Sequence, residues 1–194
     1  MVLYLVRHGR TEANAGGRLQ GRLDLPLDDV GEAQAAALPA VVPVPHVVVC
    51  SSLLRARQTA SVFGVEPVID DRWIEMAYGE YEGRRMEDVP PDEWRRWSSD
   101  QTFAPAGGES LADVGRRVFE ACEALQEQFR DRDVVGVSHA TPIKLAMAWA
   151  LGASIDINWR TFIDQASVTT VKMRNERRSE EHTSELQSHH DLVC

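Results

Sequence analysis

The sequence predicts an α/β protein, a three-layer α/β/α sandwich whose sheet is mainly parallel. Short apolar runs rich in β-branched residues alternate along the chain with Ala-rich or amphipathic segments. The runs are typical of strands buried on both faces, and the other segments are typical of helices. Three of the runs end abruptly in polar residues, as expected where parallel strands reach a ligand-binding edge.

Five segments are predicted to form the strands. They are residues 2–6, 46–50, 65–69, 133–137 and 167–173. The third is assigned to a sheet edge because Pro67, which has no N–H to donate, lies within it. The last alternates between apolar and polar residues, which indicates a strand with one exposed face.

The helices are predicted from apolar spacing and from capping residues. They cover residues 31–38, 54–63, 92–97 and 110–130, followed by an apolar helix that reaches residue 151. Ser51 and Ser52 are expected to cap the second of these. Pro142 lies near the first turn of the last, where proline is tolerated.

Residues 70–108 are otherwise irregular and rich in Trp, Arg, Glu and Pro. Four aromatic residues in this region have two possible roles. They either form an apolar lid over a substrate or pack the region against the body of the protein. They are Trp73, Trp94, Trp97 and Phe103.

Composition limits the class of protein. The chain has 194 residues, 43% hydrophobic and 26% charged, which suits one globular domain. A net charge of −9 argues against general nucleic-acid binding. No apolar run approaches the ~20 residues that span a bilayer, and the N-terminus lacks a signal-peptide pattern. With three cysteines and no CxxC spacing, we expect a cytoplasmic protein with reduced thiols and no zinc site.

The segment after residue 177 differs from the rest of the chain. Residues 178–194 are polar and without periodicity, and they contain His182, His189 and His190. A metal-binding tail and a disordered end are two interpretations. We favour a third, because RSEEHTSELQSH looks like the translation of a common sequencing adapter. On that interpretation the domain spans residues 1–177 and the tail is an artefact without function.

The polar strand ends define a candidate binding site. Because the carboxyl ends of parallel strands lie at one edge of the sheet, the side chains that follow them should converge. Those side chains are Arg7, His8, Arg55 and His139. The set suits a phosphoryl group, since guanidinium forks bind its oxygens and an imidazole can attack phosphorus or donate a hydrogen bond. His46 begins its strand, at the opposite edge, and is assigned a structural or surface role.

Several blocks of the sequence, in order, resemble one known family. They are LVRHGRTEAN, RLQGRLDLPLDDVGEAQA, SSLLRARQTA, WIEMAYGEYEG, GGES and GVSHATPIK. Together they resemble the histidine phosphatase superfamily, which includes the cofactor-dependent phosphoglycerate mutases and many small phosphatases. The resemblance covers most of residues 2–172 and implies a phosphoglycerate mutase-like fold.

The resemblance also implies catalytic roles. His8 would be the nucleophile that forms a phosphohistidine. Arg7 and Arg55 would bind the phosphate oxygens, and His139 would contact the phosphate and stabilise the transferring group. Glu75 would donate a proton to the leaving oxygen. No metal or other cofactor is implied, because the arginines supply the positive charge.

Further positions match the rim of the family's pocket or depart from its pattern. Asn14, Gln20 and Gly21 would line the pocket and contact the substrate. Arg10 stands where many members carry Glu, and either tunes substrate choice or points to solvent. Ala140 replaces a frequent glycine, and because alanine is small we expect little effect.

Elementary chemistry adds conditions to these roles. A nucleophilic histidine must be neutral at one ring nitrogen, and the other N–H needs an acceptor such as the Gly9 carbonyl. Flanking arginines should lower the pKa of His8. The proton donor must lie near the pocket, and other nearby carboxyl groups are alternatives to Glu75. Those alternatives are Glu12, Glu80 and Glu82.

The expected function is hydrolysis of a small phosphorylated metabolite in a bacterial cytoplasm. One alternative is phosphoglycerate mutase-type phosphoryl transfer, but residues 1–177 make a shorter body than the mutases that share this pattern. The other is a non-catalytic phospho-ligand-binding module, against which the intact set of histidines, arginines and Glu75 argues.

Overall fold

The computed structural model describes residues 1–172, which form a five-stranded sheet between two layers of helices. The strands are β1 Val2–Arg7, β2 Val47–Cys50, β3 Val68–Ile69, β4 Val134–Ser138 and β5 Val168–Lys172. They are ordered β3-β2-β4-β1-β5, with β5 antiparallel to β1 and the other pairs parallel. The predicted three-layer α/β/α fold with a mainly parallel sheet is confirmed. The third strand lies at the sheet edge as predicted, but it begins at Val68, so Pro67 lies outside it.

Six α-helices connect these strands within residues 1–172. They are α1 Glu12–Ala15, α2 Asp29–Ala37, α3 Leu54–Ala60, α4 Pro91–Ser99, α5 Leu111–Gln128 and α6 Ala140–Leu151. Short 3-10 turns lie at Leu38–Ala40, Ser61–Phe63, Asp71–Trp73, Gly79–Tyr81, Met86–Asp88 and Ile155–Trp159. The predicted helix over residues 54–63 is therefore α-helical only to Ala60 and ends in a 3-10 turn.

The predicted cap of α3 is wrong. Leu53 is the N-cap residue, and it makes no side-chain capping bond. The Ser51 hydroxyl accepts a hydrogen bond from the Leu53 N–H at 3.3 Å and also bonds to His139. The structure therefore gives Ser51 a place in the site rather than a role as a helix cap.

The core has two parts, one on each face of the sheet. Leu3 and Leu5 of β1 pack in the cluster that contains residues of α5 and α6. Val6 packs in the second cluster, with Ala56 and Ala60 of α3. This alternation, with both faces of β1 covered, holds the carboxyl end of the strand in one position.

The aromatic residues of the irregular region pack against the body. Trp73 and Trp97 are each 1% exposed and belong to the core cluster, against which Trp94 and Phe103 also pack. Trp97 makes edge-on contacts with Trp94 and Trp159, with ring centroids 6.0 and 6.2 Å apart. Packing, rather than a lid, is therefore the role that the structure gives these side chains.

Some sequence-based expectations lie outside the described residues. They concern Met173 at the end of the last predicted strand, the domain boundary at residue 177 and the tail with its three histidines. Between residues 1 and 172, none of the helices is both long and apolar enough to cross a bilayer. Cys50 and Cys122 are buried free thiols.

Candidate active site

The register of the sheet brings the two predicted histidines together. Arg7, the last residue of β1, pairs with Ser138, the last residue of β4. His8 and His139, which follow these residues, therefore lie side by side at the carboxyl edge of the sheet. The backbone N–H of His8 donates to the Ser138 carbonyl at 3.0 Å. The two imidazole rings lie 5.0 Å apart between centroids and are tilted by 58°. Both side chains are buried.

Hydrogen bonds fix the tautomer of His8. Its Nδ1 atom lies 2.7 Å from the Gly9 carbonyl oxygen, which can only accept, so Nδ1 carries the proton. Nε2 therefore presents a lone pair, and it lies 3.3 Å from Nε of Arg55. Burial, followed by the charges of Arg55 and Arg7, holds the pKa of His8 well below its ordinary value. The sequence predicted both the Gly9 acceptor and the direction of this pKa shift.

Gly9 permits the close approach on which this corner depends. A Cβ atom at residue 9 would lie 2.4 Å from the carbonyl oxygen of Gly31 at the start of α2. The Gly9 N–H also donates to the Thr59 hydroxyl at 3.1 Å, which ties the β1 end to α3. A side chain here would force β1 and α2 apart, so glycine is required for space rather than for backbone conformation.

Arg55 is a buried cation held by backbone carbonyls. Its side chain is 1% exposed. Nη1 donates to the Leu23 carbonyl and Nη2 to the Gly21 carbonyl, each at 2.7 Å. Burial lowers the pKa of Arg55 to about 10, although the charges of Glu75 and Asp24 oppose this effect. The guanidinium thus remains charged near neutral pH and lies beside His8.

Arg7 supplies a second cation. Its Nη1 donates to the Ile163 carbonyl, while Nε is buried and has no hydrogen-bond partner among residues 1–172. Burial lowers the pKa of Arg7, and the charge of Glu75 opposes this effect. Because a buried guanidinium N–H without a hydrogen bond is unfavourable, this group favours the binding of an anion that can accept one.

His139 occupies the N-cap position of α6, and its side chain makes no capping bond. Its Nε2 lies 2.8 Å from the Ser51 hydroxyl, and its Nδ1 has no partner in the described part of the chain. Burial and the charges of Arg55, His8 and Arg7 hold the pKa of His139 well below its ordinary value. Like His8, it is neutral near pH 7.

Glu75 lies buried at the same edge of the sheet. Its side chain is 6% exposed, and Oε1 accepts from the Met76 N–H at 2.8 Å. Its negative charge acts on both Arg7 and Arg55. Of the alternative acids, Glu12 and Glu80 are exposed. The structure therefore brings Glu75 together with the two histidines and two arginines.

Glu82, the remaining alternative, accepts hydrogen bonds from two backbone N–H groups. Its Oε1 accepts from the backbone N–H groups of Arg22 and Tyr78, at 2.9 and 3.2 Å. Its carboxylate is thus occupied in tying two loops together.

The predicted rim residues have different surroundings. Gly21 supplies the carbonyl that holds Arg55, and its φ of +51° lies in the left-handed region that favours glycine. Gln20 is buried, with Oε1 bonded to Thr11 and Nε2 unpartnered within residues 1–172.

Asn14 and Arg10 both have partners of their own. Asn14 forms a capping box with Thr11 on α1, in which its side-chain carbonyl oxygen accepts a hydrogen bond. Arg10 pairs with Asp28 at 2.8 Å and is not a free cation.

Sequence reasoning missed two further groups near the acid. Tyr78 follows Glu75 by three residues, and burial and then the charge of Glu75 raise the pKa of its hydroxyl. Lys144 on α6 donates to the Asn158 carbonyl at 2.9 Å, and its ammonium experiences the charges of Glu75 and Arg7. Both lie inside two of the blocks that resemble the family, WIEMAYGEYEG and GVSHATPIK.

Comparison with known proteins gives the family. The model of the histidine phosphatase superfamily (branch 1) matches residues 3–185. This chain belongs to that superfamily. Among curated members, it is 34% identical over 194 residues to a glucosyl-3-phosphoglycerate phosphatase of Mycolicibacterium vanbaalenii, covering 92% of this chain and 86% of that protein. It is also 34% identical over 185 residues to phosphoserine phosphatase 1 of Hydrogenobacter thermophilus, covering 90% and 88%.

Two solved phosphatase structures have the same fold. A mutant phosphoserine phosphatase of Entamoeba histolytica in complex with phosphoserine superposes with a TM-score of 0.83 at 26% identity, over 90% of this chain and 91% of that one. The mycobacterial glucosyl-3-phosphoglycerate phosphatase bound to VO3 gives 0.78 at 31% identity, over 87% and 91%.

Some curated proteins similar to this chain are much longer than it is. A bifunctional protein of Mycobacterium tuberculosis is 34% identical over 180 residues, which make up 88% of this chain but 50% of that protein. Two uncharacterized mycobacterial proteins match over the same extent. The chain thus spans about half the length of these curated relatives.

Proposed function

We propose that this histidine phosphatase hydrolyses small phosphomonoesters through a phosphohistidine on His8. The proposal depends on one observation, the 2.7 Å contact between His8 Nδ1 and the Gly9 carbonyl oxygen. This contact keeps the proton on Nδ1 and leaves the lone pair of Nε2 for attack on phosphorus. Arg7 and Arg55 are the cations that would bind the phosphoryl oxygens, with His139 beside them.

The first step transfers the phosphoryl group to the protein. Nε2 of His8 forms a bond to phosphorus while the bond from phosphorus to the ester oxygen breaks. In this scheme Glu75 must enter the step carrying a proton, which it gives to the departing oxygen so that the alcohol leaves neutral. The guanidinium groups of Arg7 and Arg55 offset the charge on the non-bridging oxygens.

The second step returns the protein to its starting state. A water molecule attacks phosphorus, and the bond from phosphorus to Nε2 breaks. Glu75, now a carboxylate, takes a proton from the water, and inorganic phosphate leaves. His8 keeps its Nδ1 proton throughout. No metal or other cofactor takes part in this scheme, because the arginines provide the positive charge.

The substrate class is a small phosphorylated metabolite. The names of the relatives, glucosyl-3-phosphoglycerate phosphatase and phosphoserine phosphatase, support hydrolysis of alkyl phosphates. The proposal includes a bacterial cytoplasmic location, supported by the mycobacterial relatives and by the free thiols of Cys50 and Cys122.

A panel of phosphomonoesters tests the function. It should include phosphoserine, glucosyl-3-phosphoglycerate, 3-phosphoglycerate and p-nitrophenyl phosphate. Phosphate release and isomerisation of the phosphoglycerate are measured in parallel. We expect release from at least one alkyl ester, abolished in His8→Ala and retained in His46→Ala, whose side chain is exposed. Isomerisation without release would show a mutase, and binding without turnover would show a non-catalytic module.

A further inference from the structure

We propose that Glu109 and Arg117 form a positioning pair that fixes the Glu75 carboxylate at the phosphoryl site. Arg117 Nε lies 3.0 Å from Glu109 Oε1, and Nη2 lies 3.0 Å from Oε2, so the contact is bidentate. The side chains are only 15% and 18% exposed. Planar bidentate pairs hold both partners in one orientation more firmly than a single contact does. The inference rests on the proposed role of Glu75 as the acid.

The segment that carries Glu75 needs such support. Between the 3-10 turns Asp71–Trp73 and Gly79–Tyr81 the backbone has no regular secondary structure. Its conformation is therefore set by side-chain contacts rather than by a ladder of backbone bonds. One of these contacts comes from the sheet, where the Ser138 hydroxyl donates to the Trp73 carbonyl at 2.6 Å.

Arg117 holds the segment on both sides of the bend that leads to Glu75. Its Nη1 donates to the Arg72 carbonyl at 2.7 Å, and its Nη2 donates to the Glu75 carbonyl at 3.3 Å. One guanidinium on α5 thus fixes two carbonyls that lie three residues apart. A lysine could replace the charge but not this fork of donors.

Glu109 holds the other side of Glu75. Its Oε2 accepts from the Ala77 N–H at 3.3 Å, and its own N–H donates to the Ala77 carbonyl at 2.9 Å. This approach depends on Gly108, where a Cβ atom would lie 2.8 Å from the Ala77 oxygen. The backbone of residues 75 and 77 is therefore tied to one carboxylate–guanidinium pair.

Glu109 and Arg117 carry opposite charges that offset each other. Burial raises the pKa of Glu109, but its hydrogen bonds to Arg117 and the charges of Arg117 and Arg22 outweigh burial and leave the pKa below its ordinary value. Glu109 is therefore a carboxylate near pH 7. The charge of Arg117 also helps to lower the pKa of His139. Removing Glu109 would loosen the Glu75 segment and leave Arg117 without its carboxylate. Removing Arg117 would loosen the same segment and leave Glu109 paired with Arg22 alone, at 3.1 Å.

Leaving-group dependence separates positioning from general stability. An alkoxide needs the proton from Glu75, whereas p-nitrophenolate leaves readily without one. A variant that misplaces Glu75 should therefore lose activity on alkyl esters and keep it on p-nitrophenyl phosphate. A variant that merely weakens the fold should lose both in equal proportion.

The experiment compares Arg117→Met, Arg117→Lys and Glu109→Gln with wild type on p-nitrophenyl phosphate and on the best alkyl ester of the panel. The matched control is Arg116→Met. Arg116 is the next residue on α5, with a side chain 68% exposed and paired with Asp113. In the three variants of the pair we expect kcat/KM for the alkyl ester to fall about 30-fold, because general acid catalysis supplies ~100-fold or more and misplacing Glu75 removes part of it. For p-nitrophenyl phosphate we expect kcat/KM to fall less than about threefold, because its leaving group needs no proton. Arg116→Met should match wild type.

The outcome for Glu75→Gln separates this inference from the proposed function. That variant should show the same selective loss, but larger. If it does so while Arg117→Lys and Glu109→Gln lose both activities equally or neither, the positioning pair is refuted and the function stands. If Glu75→Gln shows no dependence on the leaving group, the acid assignment fails and the inference fails with it. Should Arg117→Met not fold, the two conservative variants decide the result.

Discussion

The Nε2 atom of His8 lies 3.3 Å from Nε of Arg55. The nitrogen that would attack phosphorus therefore already accepts a hydrogen bond from the cation that would bind the phosphate. That contact holds the imidazole in place and also disfavours its protonation. An incoming phosphoryl group can satisfy both partners at once, since its oxygens accept from Arg55 while phosphorus faces Nε2.

Activity at mildly acidic pH should not be limited by protonation of His8. Because the pKa of His8 is held well below 6.5 by burial and by Arg55, the nucleophile stays neutral below that pH. We expect kcat/KM to show no fall attributable to an imidazole between about pH 7 and pH 5.5, where an unperturbed histidine would be mostly protonated. A pH profile of kcat/KM for p-nitrophenyl phosphate, which avoids the need for the acid, measures this. A half-loss near pH 6.5 would contradict it.

The same shifts predict how stability depends on pH. Both folded-state pKa values, of His8 and of His139, lie below those of the unfolded chain. Below about pH 6.5 the unfolded state therefore binds more protons, and the free energy of unfolding falls as the pH falls. The slope approaches about 1.4 kcal/mol per pH unit for each histidine well below pH 6.5. The free energy of unfolding, measured by chemical denaturation at several pH values between 7 and 5, should depend less steeply on pH in His139→Gln than in wild type. An unchanged slope would mean that His139 does not contribute.

Arg55 should be irreplaceable by lysine. A lysine keeps the charge but cannot reach the Gly21 and Leu23 carbonyls and His8 together. We expect Arg55→Lys to lower kcat/KM about 100-fold or more, as for loss of a preorganised charge donor. Steady-state kinetics on p-nitrophenyl phosphate measures this. Arg57→Lys, at an exposed position of the same helix, is the control and should retain activity.

Gly9 should not tolerate a methyl group. Its Cβ would lie 2.4 Å from the Gly31 oxygen, so Gly9→Ala must displace β1 or α2. We expect the free energy of unfolding to fall by about 2 kcal/mol, in the range of overpacking substitutions, and activity to fall with it. Chemical denaturation measures the change. The control is Gly16→Ala, which should behave like wild type, because a Cβ atom there would come no closer than 3.4 Å to the Glu12 oxygen and φ is negative.

The sequence predicts the place of a site residue best where a strand of the sheet fixes that residue's position. The ends of β1 and β4 can be located from apolar runs, and the parallel register then places His8 beside His139. The Gly9 acceptor follows from the need of a neutral imidazole for a partner. The buried arginines follow from the chemistry of phosphate binding.

The remaining contacts arise where chain segments meet without regular structure. The sequence predicts a helix cap at Ser51 because serine at that place usually caps, yet its hydroxyl bonds to His139 from a neighbouring strand. Asn14 at the pocket rim stays a prediction, and the bond of its side-chain carbonyl oxygen within the cap of α1 is a further contact that no apolar periodicity indicates. The contacts of Arg117 with the Glu75 segment join a helix to an irregular loop, and no periodicity signals such a pairing.

The most direct test of the account is to trap and locate the phosphoryl group. Wild-type protein is mixed with an alkyl phosphate, quenched in base within milliseconds, and digested for mass spectrometry. We expect an acid-labile, base-stable phosphate on the peptide that contains His8, absent in His8→Ala and present in His46→Ala. Label on His139, or equal label in His8→Ala, would contradict the assignment of His8 as the nucleophile.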